Sequence, residues 1–327
     1  MAPLKIFLTG VTGFVGALVR NTDKAAKLTA QYLNIRVVRG DLDSVDIIEE
    51  EVADADIVFN FADSDHVAAA TAISKGAQHH NPERPVWIIH TSGTGILTVE
   101  DLRARSFGVE RPKEYNDWEG VSELLHMPPD AVHRNVDEII LDASKSNPAS
   151  VKTAIVCPPI IYGNGRGPCT QKSLLGSLSV AVLQLRKGFL VGQGQNVWHQ
   201  VHVQDLTKLY LALGDAAAAG GGRATWNNDN YYLAENGPFV WGDIERAVTK
   251  AAFEKNLIPS PEVEQLNDSQ IMELISEGYY GFYAWGTNSR GHAIRARKLF
   301  GWTPTQPKMI ELIPSIVELE AKDLGLL

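Results

Sequence analysis

The chain has 327 residues, 44% of them hydrophobic and 21% charged, with a formal net charge of −9 at pH 7. Such a composition suits a globular protein with one large α/β unit and an added lobe, or two domains. It excludes several classes. The acidic balance without a basic stripe argues against nucleic acid as a partner. No apolar run is long enough to span a bilayer. Two cysteines, Cys157 and Cys169, make no disulfide framework. Lys5 and the glycines that follow interrupt any signal-peptide core. These features together point to a cytoplasmic protein.

The first element is a short apolar run, Ile6-Phe7-Leu8, that breaks into Thr9-Gly10-Val11-Thr12-Gly13-Phe14-Val15-Gly16. A buried strand ending in glycines spaced by three allows a tight turn and a close backbone approach to an anion. Gly10, Thr12, Gly13, Phe14, Val15 and Gly16 are therefore candidate cofactor-binding residues. The Gly-x-x-Gly-x-x-Gly pattern with Thr9 and Thr12 resembles the extended and atypical short-chain dehydrogenases/reductases, in their epimerase/dehydratase and NmrA-like branches. The resemblance extends along nearly all of the chain and implies a nicotinamide dinucleotide as cofactor.

The next stretch departs from that pattern. Gly16 runs directly into Ala17-Leu18-Val19-Arg20-Asn21-Thr22-Asp23. One reading makes Ala17–Arg20 the end of strand two, with a helix from Asp23 and the first crossover helix missing. The rival makes residues 17–33 the first helix and removes strand two instead. Asn21-Thr22-Asp23 is a better helix start than a helix middle, which favours the first reading. Arg20 would then stand where a 2′-phosphate sits, favouring NADP, with NAD left open. Ile35–Leu42 alternates and reads as strand three, ending in Gly40-Asp41. Asp41 and Leu42 at its end are cofactor candidates, and the resemblance implies a contact of Asp41 with the adenine. Residues 47–52 read as a helix and 55–62 as a buried strand, placing Phe61 and Ala62 at a ligand-binding sheet edge.

A helix over 66–76 and a strand over 86–90 lead to Thr91-Ser92-Gly93-Thr94-Gly95. The resemblance puts its catalytic serine here, so Ser92 and Thr94 are candidates, with turn formation as the plain alternative. The family's acid/base pair is a tyrosine and a lysine four residues apart on one helix face. The lysine lowers the pKa of the phenol so that it can exchange a proton near neutral pH. On the helix over 131–141 those positions fall on His133 and Asp137. One turn apart, the two could form an imidazole–carboxylate proton donor, or simply a surface pair. Tyr115, in the preceding loop, is a second source of a phenol.

Residues 151–163 read as strand six and its exit, and resemble the family's Arg-Pro-x-x-x-Tyr-Gly segment. Pro159 and Ile160 would line the nicotinamide site, and Tyr162 the substrate site. A helix over 174–187 precedes Val191-Gly192-Gln193-Gly194-Gln195-Asn196 and Val201-His202-Val203-Gln204-Asp205-Leu206, which resemble the segment closing the family's substrate lobe. There His202 and Asp205 are expected as anchors, with Asp205 capping the following helix, and Trp198 and Gln200 as substrate contacts. Residues 216–223 read as a flexible break. The remainder ends in a Gly-Trp-x-Pro motif at Gly301–Pro304. No zinc-ligand spacing or nucleophile elbow is visible.

These elements predict a doubly wound, Rossmann-like, mostly parallel sheet with a smaller C-terminal substrate lobe. Residues 1–162, with 201–234 returning, form the dinucleotide-binding part; 163–200 and 235–327 form the lobe. The expected function is an NAD(P)-binding oxidoreductase or epimerase/dehydratase-like protein acting on a small molecule through a non-standard acid/base site. A non-catalytic NAD(P)-sensing regulator and a repurposed non-redox enzyme are the alternatives. A homodimer is left open.

Overall fold

The computed structural model describes residues 4–9, 17–31, 35–165 and 173–327. The strands are β1 (Ile6–Thr9), β2 (Ala17–Val19), β3 (Val37–Arg39), β4 (Ile57–Asn60), β5 (Val86–Thr91), β6 (Tyr115–Asn116), β7 (Val151–Cys157) and β8 (Ile160–Tyr162), then β9 (Gly188–Val191), β10 (Val197–His202), β11 (Tyr231–Leu233), β12 (Pro238–Val240), β13 (Val263–Leu266) and β14 (Gly291–His292). Seven of them form one sheet in the order β3-β2-β1-β4-β5-β7-β11, with every neighbouring pair parallel. Helices cover both faces of such a sheet, so its strands are apolar throughout. Accordingly, Val86–His90 and Val151–Cys157 are buried except for the half-buried Lys152. Strand order reverses between β1 and β4, the point where a doubly wound sheet opens a crevice.

β2 is present, and the helix Thr22–Gln31 follows it at once. The Asp23 N–H donates to the Asn21 side-chain oxygen at 2.7 Å, the cap that the sequence suggested. Only residues 10–16 separate β1 from its parallel neighbour β2. A parallel crossover carrying a helix takes about a dozen residues or more, longer than this spacing. The glycine corner itself (Gly10, Thr12, Gly13, Phe14, Val15 and Gly16) lies outside the described residues, as does Cys169. Cys157 is fully buried, and burial pushes its thiol pKa well up.

A second apolar cluster is built from the helices Leu174–Leu185, Trp241–Glu254 and Met309–Asp323, with Phe189, Trp241, Phe282 and Trp285 at its centre. Small sheets stitch the two together: β8 and β10 are parallel and β10 and β12 antiparallel. Two local expectations need correction. Asp205 does not cap its helix, which starts at Val203 with the His202 imidazole accepting from the Gln204 N–H. The Asp205 carboxylate instead accepts from the Thr305 and Gln306 amides, both at 2.9 Å, and its carbonyl accepts from the Trp302 indole N–H. It thus holds the C-terminal Gly-Trp-x-Pro segment rather than its own helix end. Nor does the chain break at 216: the helix runs to Ala218 before three glycines, Gly220 to Gly222, turn it with positive φ.

Gly163 is where this connection is least tolerant. Its φ is +84°, and a Cβ there would collide with the His202 imidazole. Gly163→Ala should therefore cost about 2–3 kcal/mol, from left-handed strain and a displaced helix cap. A thermal melt should show a Tm lower by roughly 3–4 °C.

Candidate active site

At the C-terminal ends of β4, β5 and β7 a cleft of about 590 Å3 opens between the sheet and the second cluster. Its floor is Thr91–Gly95 and Pro158–Ile161; Phe61–Ser64 form one side, and Leu174, Trp198 and Tyr283 the other. The floor is placed by the strands, because in a parallel sheet the loops leaving the carboxyl ends all gather at one edge.

His133 stands over this floor. It precedes the helix Arg134–Ser146 in a left-handed conformation, φ +67° and ψ −14°. A non-glycine residue held there costs on the order of 1–2 kcal/mol, which directs attention to what the conformation achieves. It aims the ring at the floor. A Cβ on Gly93 or on Gly95 would lie 2.9 Å from His133 Nε2, so both positions need glycine for the ring to sit there. Behind the ring, Nδ1 is 2.8 Å from Asp65 Oδ1 and 3.1 Å from Ser64 Oγ. A carboxylate only accepts, so Nδ1 carries the proton and Nε2 of the neutral ring presents its lone pair. The hydrogen bond from His133 in turn holds the Asp65 carboxyl below its ordinary pKa. Beside it, the buried Thr94 hydroxyl has no partner within the protein.

His133 and Asp137 are not a pair. The cap conformation takes His133 off the helix surface toward Asp65, whereas Asp137 points into the core. The Asp137 carboxylate is fully buried and accepts from Ser92 Oγ at 2.9 Å and from the Tyr231 hydroxyl at 2.8 Å. His90 Nε2 lies 3.4 Å from its other oxygen. His90 Nδ1 meets the Asn60 amide at 3.0 Å, and Asn60 Oδ1 accepts from the Thr9 hydroxyl at 2.6 Å. A polar chain thus crosses beneath the cleft from β1 to the helix, and Ser92, although it lines the cleft, spends its proton on that chain.

Of the other candidates, Thr94, Phe61, Ala62, Pro159, Ile160 and Trp198 line the cleft. Tyr115 does not: it is buried on β6, and burial followed by nearby carboxylates pushes its phenol up to about 12, too high for proton exchange near neutral pH. Tyr162 donates its hydroxyl to the Pro307 carbonyl at 2.6 Å, and Gln200 accepts from the Met309 N–H at 2.9 Å. Both fasten the C-terminal helix and point away from the cleft. Arg20, exposed, follows β2. Asp41 accepts from Ser44 Oγ and the Asp43 N–H, and with Leu42 it forms the turn after β3. Asp65 and Ser64 were missed. The signal was the polar run Asp63-Ser64-Asp65-His66 directly after a buried strand.

Residues 10–117 match the NAD(P)H-binding family. Along 98% of this chain and 99% of its own length, the protein named oxidase ucsJ from an Acremonium species is 32% identical. That alignment spans 347 positions, more than this chain has residues, so the relative carries residues that this chain lacks. An uncharacterized protein of Saccharomyces cerevisiae, YLL056C, is 21% identical over 94% of this chain and 97% of its own. The fold is shared with a dTDP-glucose 4,6-dehydratase from Bacillus anthracis solved in complex with NAD (TM-score 0.63, 14% identity, 99% of this chain and 98% of that one). A UDP-glucose 4-epimerase from Thermotoga maritima, solved with UDP-glucose, is similar too (TM-score 0.61, 13% identity, 98% and 99%). None of the nine tyrosines of the chain is followed four residues later by lysine. With residues 10–117 matching the NAD(P)H-binding family and a relative 32% identical over nearly the whole of both chains, the chain belongs to one NAD(P)H-binding family with oxidase ucsJ, and it shares the doubly wound fold of the epimerase and dehydratase structures.

Proposed function

We propose that this protein is an NAD(P)-linked oxidoreductase acting on a small molecule that bears a hydroxyl or carbonyl group, with Asp65 and His133 in place of the tyrosine–lysine pair. One observation carries the reading: an imidazole with a carboxylate behind Nδ1 turns Nε2 toward a cleft where a buried hydroxyl, Thr94, waits without a partner. The apolar wall of Phe61, Ala62, Pro159 and Ile160 suits the flat nicotinamide end of a dinucleotide. Arg20 would take a 2′-phosphate, so NADP is preferred to NAD, with Asp41 and Leu42 at the adenine and Gly10–Gly16 at the diphosphate. When bound, the dinucleotide supplies the hydride acceptor or donor.

In the oxidising direction, the substrate hydroxyl donates to His133 Nε2 and accepts from Thr94 Oγ1. As the hydride leaves carbon, the imidazole takes the hydroxyl proton, and Asp65 stabilises the resulting cation. The reverse reaction returns that proton to the nascent alkoxide. Epimerase- or dehydratase-like chemistry would use the same acid/base group.

A second reading, an NAD(P)-sensing regulator, is favoured by the spacing of only seven residues between β1 and β2, where a parallel crossover carrying a helix takes about a dozen or more. Titrating NADPH and NADH, then following NADPH oxidation with a panel of carbonyl compounds, separates the two. We expect NADPH to bind more tightly than NADH and to be consumed. Binding without turnover would sink the enzyme and favour the sensor; no binding of either would sink both and leave a repurposed cleft.

A further inference from the structure

We propose that the cleft selects an uncharged, largely hydrophobic alcohol or ketone and rejects substrates bearing phosphate or carboxylate; its turnover arm rests on the oxidoreductase reading above. The walls are apolar on both sides: Leu102, Val132, Ile161, Leu174, Trp198 and Tyr283 face the space above His133. Among the described lining residues there is no lysine or arginine, and the ionisable groups are Asp63, His133 and Tyr283. Asp63 is exposed at the rim, where its carboxylate repels a second anion.

The nearby arginines are spent elsewhere. Arg290 pairs with Glu110 and Glu114, Arg111 with Asp101 and Arg297 with Glu235, while Arg295 donates to the Asp117 carbonyl and to Thr225. Recognition of a diphosphate calls for such forked donors aimed into the site, and none of these lines it.

The polar atoms of the wall are also mostly consumed within the protein. Thr91 Oγ1 bonds the Tyr210 hydroxyl, Thr98 donates to the Gly95 carbonyl, and the Trp198 indole N–H donates to the Thr287 carbonyl at 2.7 Å. Trp198 therefore offers ring surface rather than a donor. Among the described side chains at the floor, what remains is Thr94 Oγ1 and His133 Nε2, enough to bind one oxygen. A ligand that presents a single oxygen on a hydrocarbon frame matches this set; one carrying several charged oxygens would leave them desolvated and unpaired.

Calorimetric titration of the whole chain, with and without NADPH, tests the inference using 1-tetralone and UDP-glucose as probes. We expect tetralone to bind at least tenfold more tightly than UDP-glucose. Tyr283→Arg, at a half-exposed rim position, should narrow or invert that ratio by weakening tetralone and admitting the diphosphate. Equal or tighter binding of UDP-glucose, or no detectable tetralone binding, overturns the selectivity. A ratio unmoved by Tyr283→Arg overturns it as well. The two readings fail separately: tetralone that binds but leaves NADPH unoxidised sinks the redox assignment alone. Tighter UDP-glucose binding alongside turnover of some other carbonyl compound sinks the selectivity alone.

Discussion

Replacing His133 by phenylalanine is expected to lower kcat/KM by about 10²–10⁴-fold, the usual contribution of a positioned general base, while the dinucleotide affinity stays within a factor of two or three. At the middle of that range the barrier rises by about 4 kcal/mol. The ring of phenylalanine fills the space over Gly93 and Gly95 but has no lone pair, so a loss of rate reports the nitrogen and not the packing. Position 133 sits at φ +67°, where asparagine is better tolerated than most residues. His133→Asn therefore controls for backbone strain and should be equally slow. Asp65→Asn should be milder, about tenfold to a hundredfold in kcat with KM little changed, because it removes the group that orients the imidazole and stabilises its cation. Steady-state NADPH oxidation, with a melt on each variant, is the measurement. Near-normal rates in both His133 variants would remove this residue from the chemistry.

Much of the sheet was legible because parallel strands buried on both faces leave continuous apolar runs, as in Val86–Ile89 and Val151–Cys157. β2 was legible for a different reason: an asparagine cap two residues past an apolar triplet marks a boundary that a helix through residues 17–33 would have had to ignore. The proposed catalytic pairing was not. Alignment put His133 at the tyrosine position, and helical spacing then joined it to Asp137. The i, i+4 rule holds only when both residues lie inside the helix, and His133 caps it in a left-handed conformation. Its true partner, Asp65, is 68 residues away on another strand exit, a contact no local periodicity encodes. Asp205 shows the same limit. Its position suggested a cap, yet its partners Thr305 and Gln306 are about a hundred residues downstream. Tyr162 and Gln200 belong with it: strand alternation identifies which side chains face one way, but not whether a helix from the far end of the chain covers that face first.

Asp137 carries the largest stability prediction. Changing Asp137 to leucine is expected to destabilise the fold by about 3–5 kcal/mol, the range for breaking a buried charged cluster by removing one member. The carboxylate is the acceptor for two hydroxyls, on Ser92 and Tyr231, and it faces His90 Nε2. Asn60 donates to His90 Nδ1, because its own oxygen is taken by Thr9, so the proton of the neutral ring lies on Nε2, toward Asp137. Leucine would leave the two buried hydroxyls of Ser92 and Tyr231 without an acceptor, each costing on the order of 1–3 kcal/mol in desolvation, and would remove the carboxylate that faces His90 Nε2. Burial, followed by the Asp137 charge, already pushes the Tyr231 phenol far above its ordinary pKa, so it remains a hydroxyl that needs an acceptor. Asp137→Asn keeps one acceptor oxygen and should cost less, about half as much. Removing the imidazole as well, in the pair His90→Leu with Asp137→Leu, should cost less than the sum of the single changes, because the two act through one another. Urea unfolding of the wild type, the two single leucine variants, their pair and Asp137→Asn measures this directly. A single-variant loss below about 1 kcal/mol would mean that the cluster is solvated or idle, and that Ser92 is free to turn its hydroxyl into the cleft.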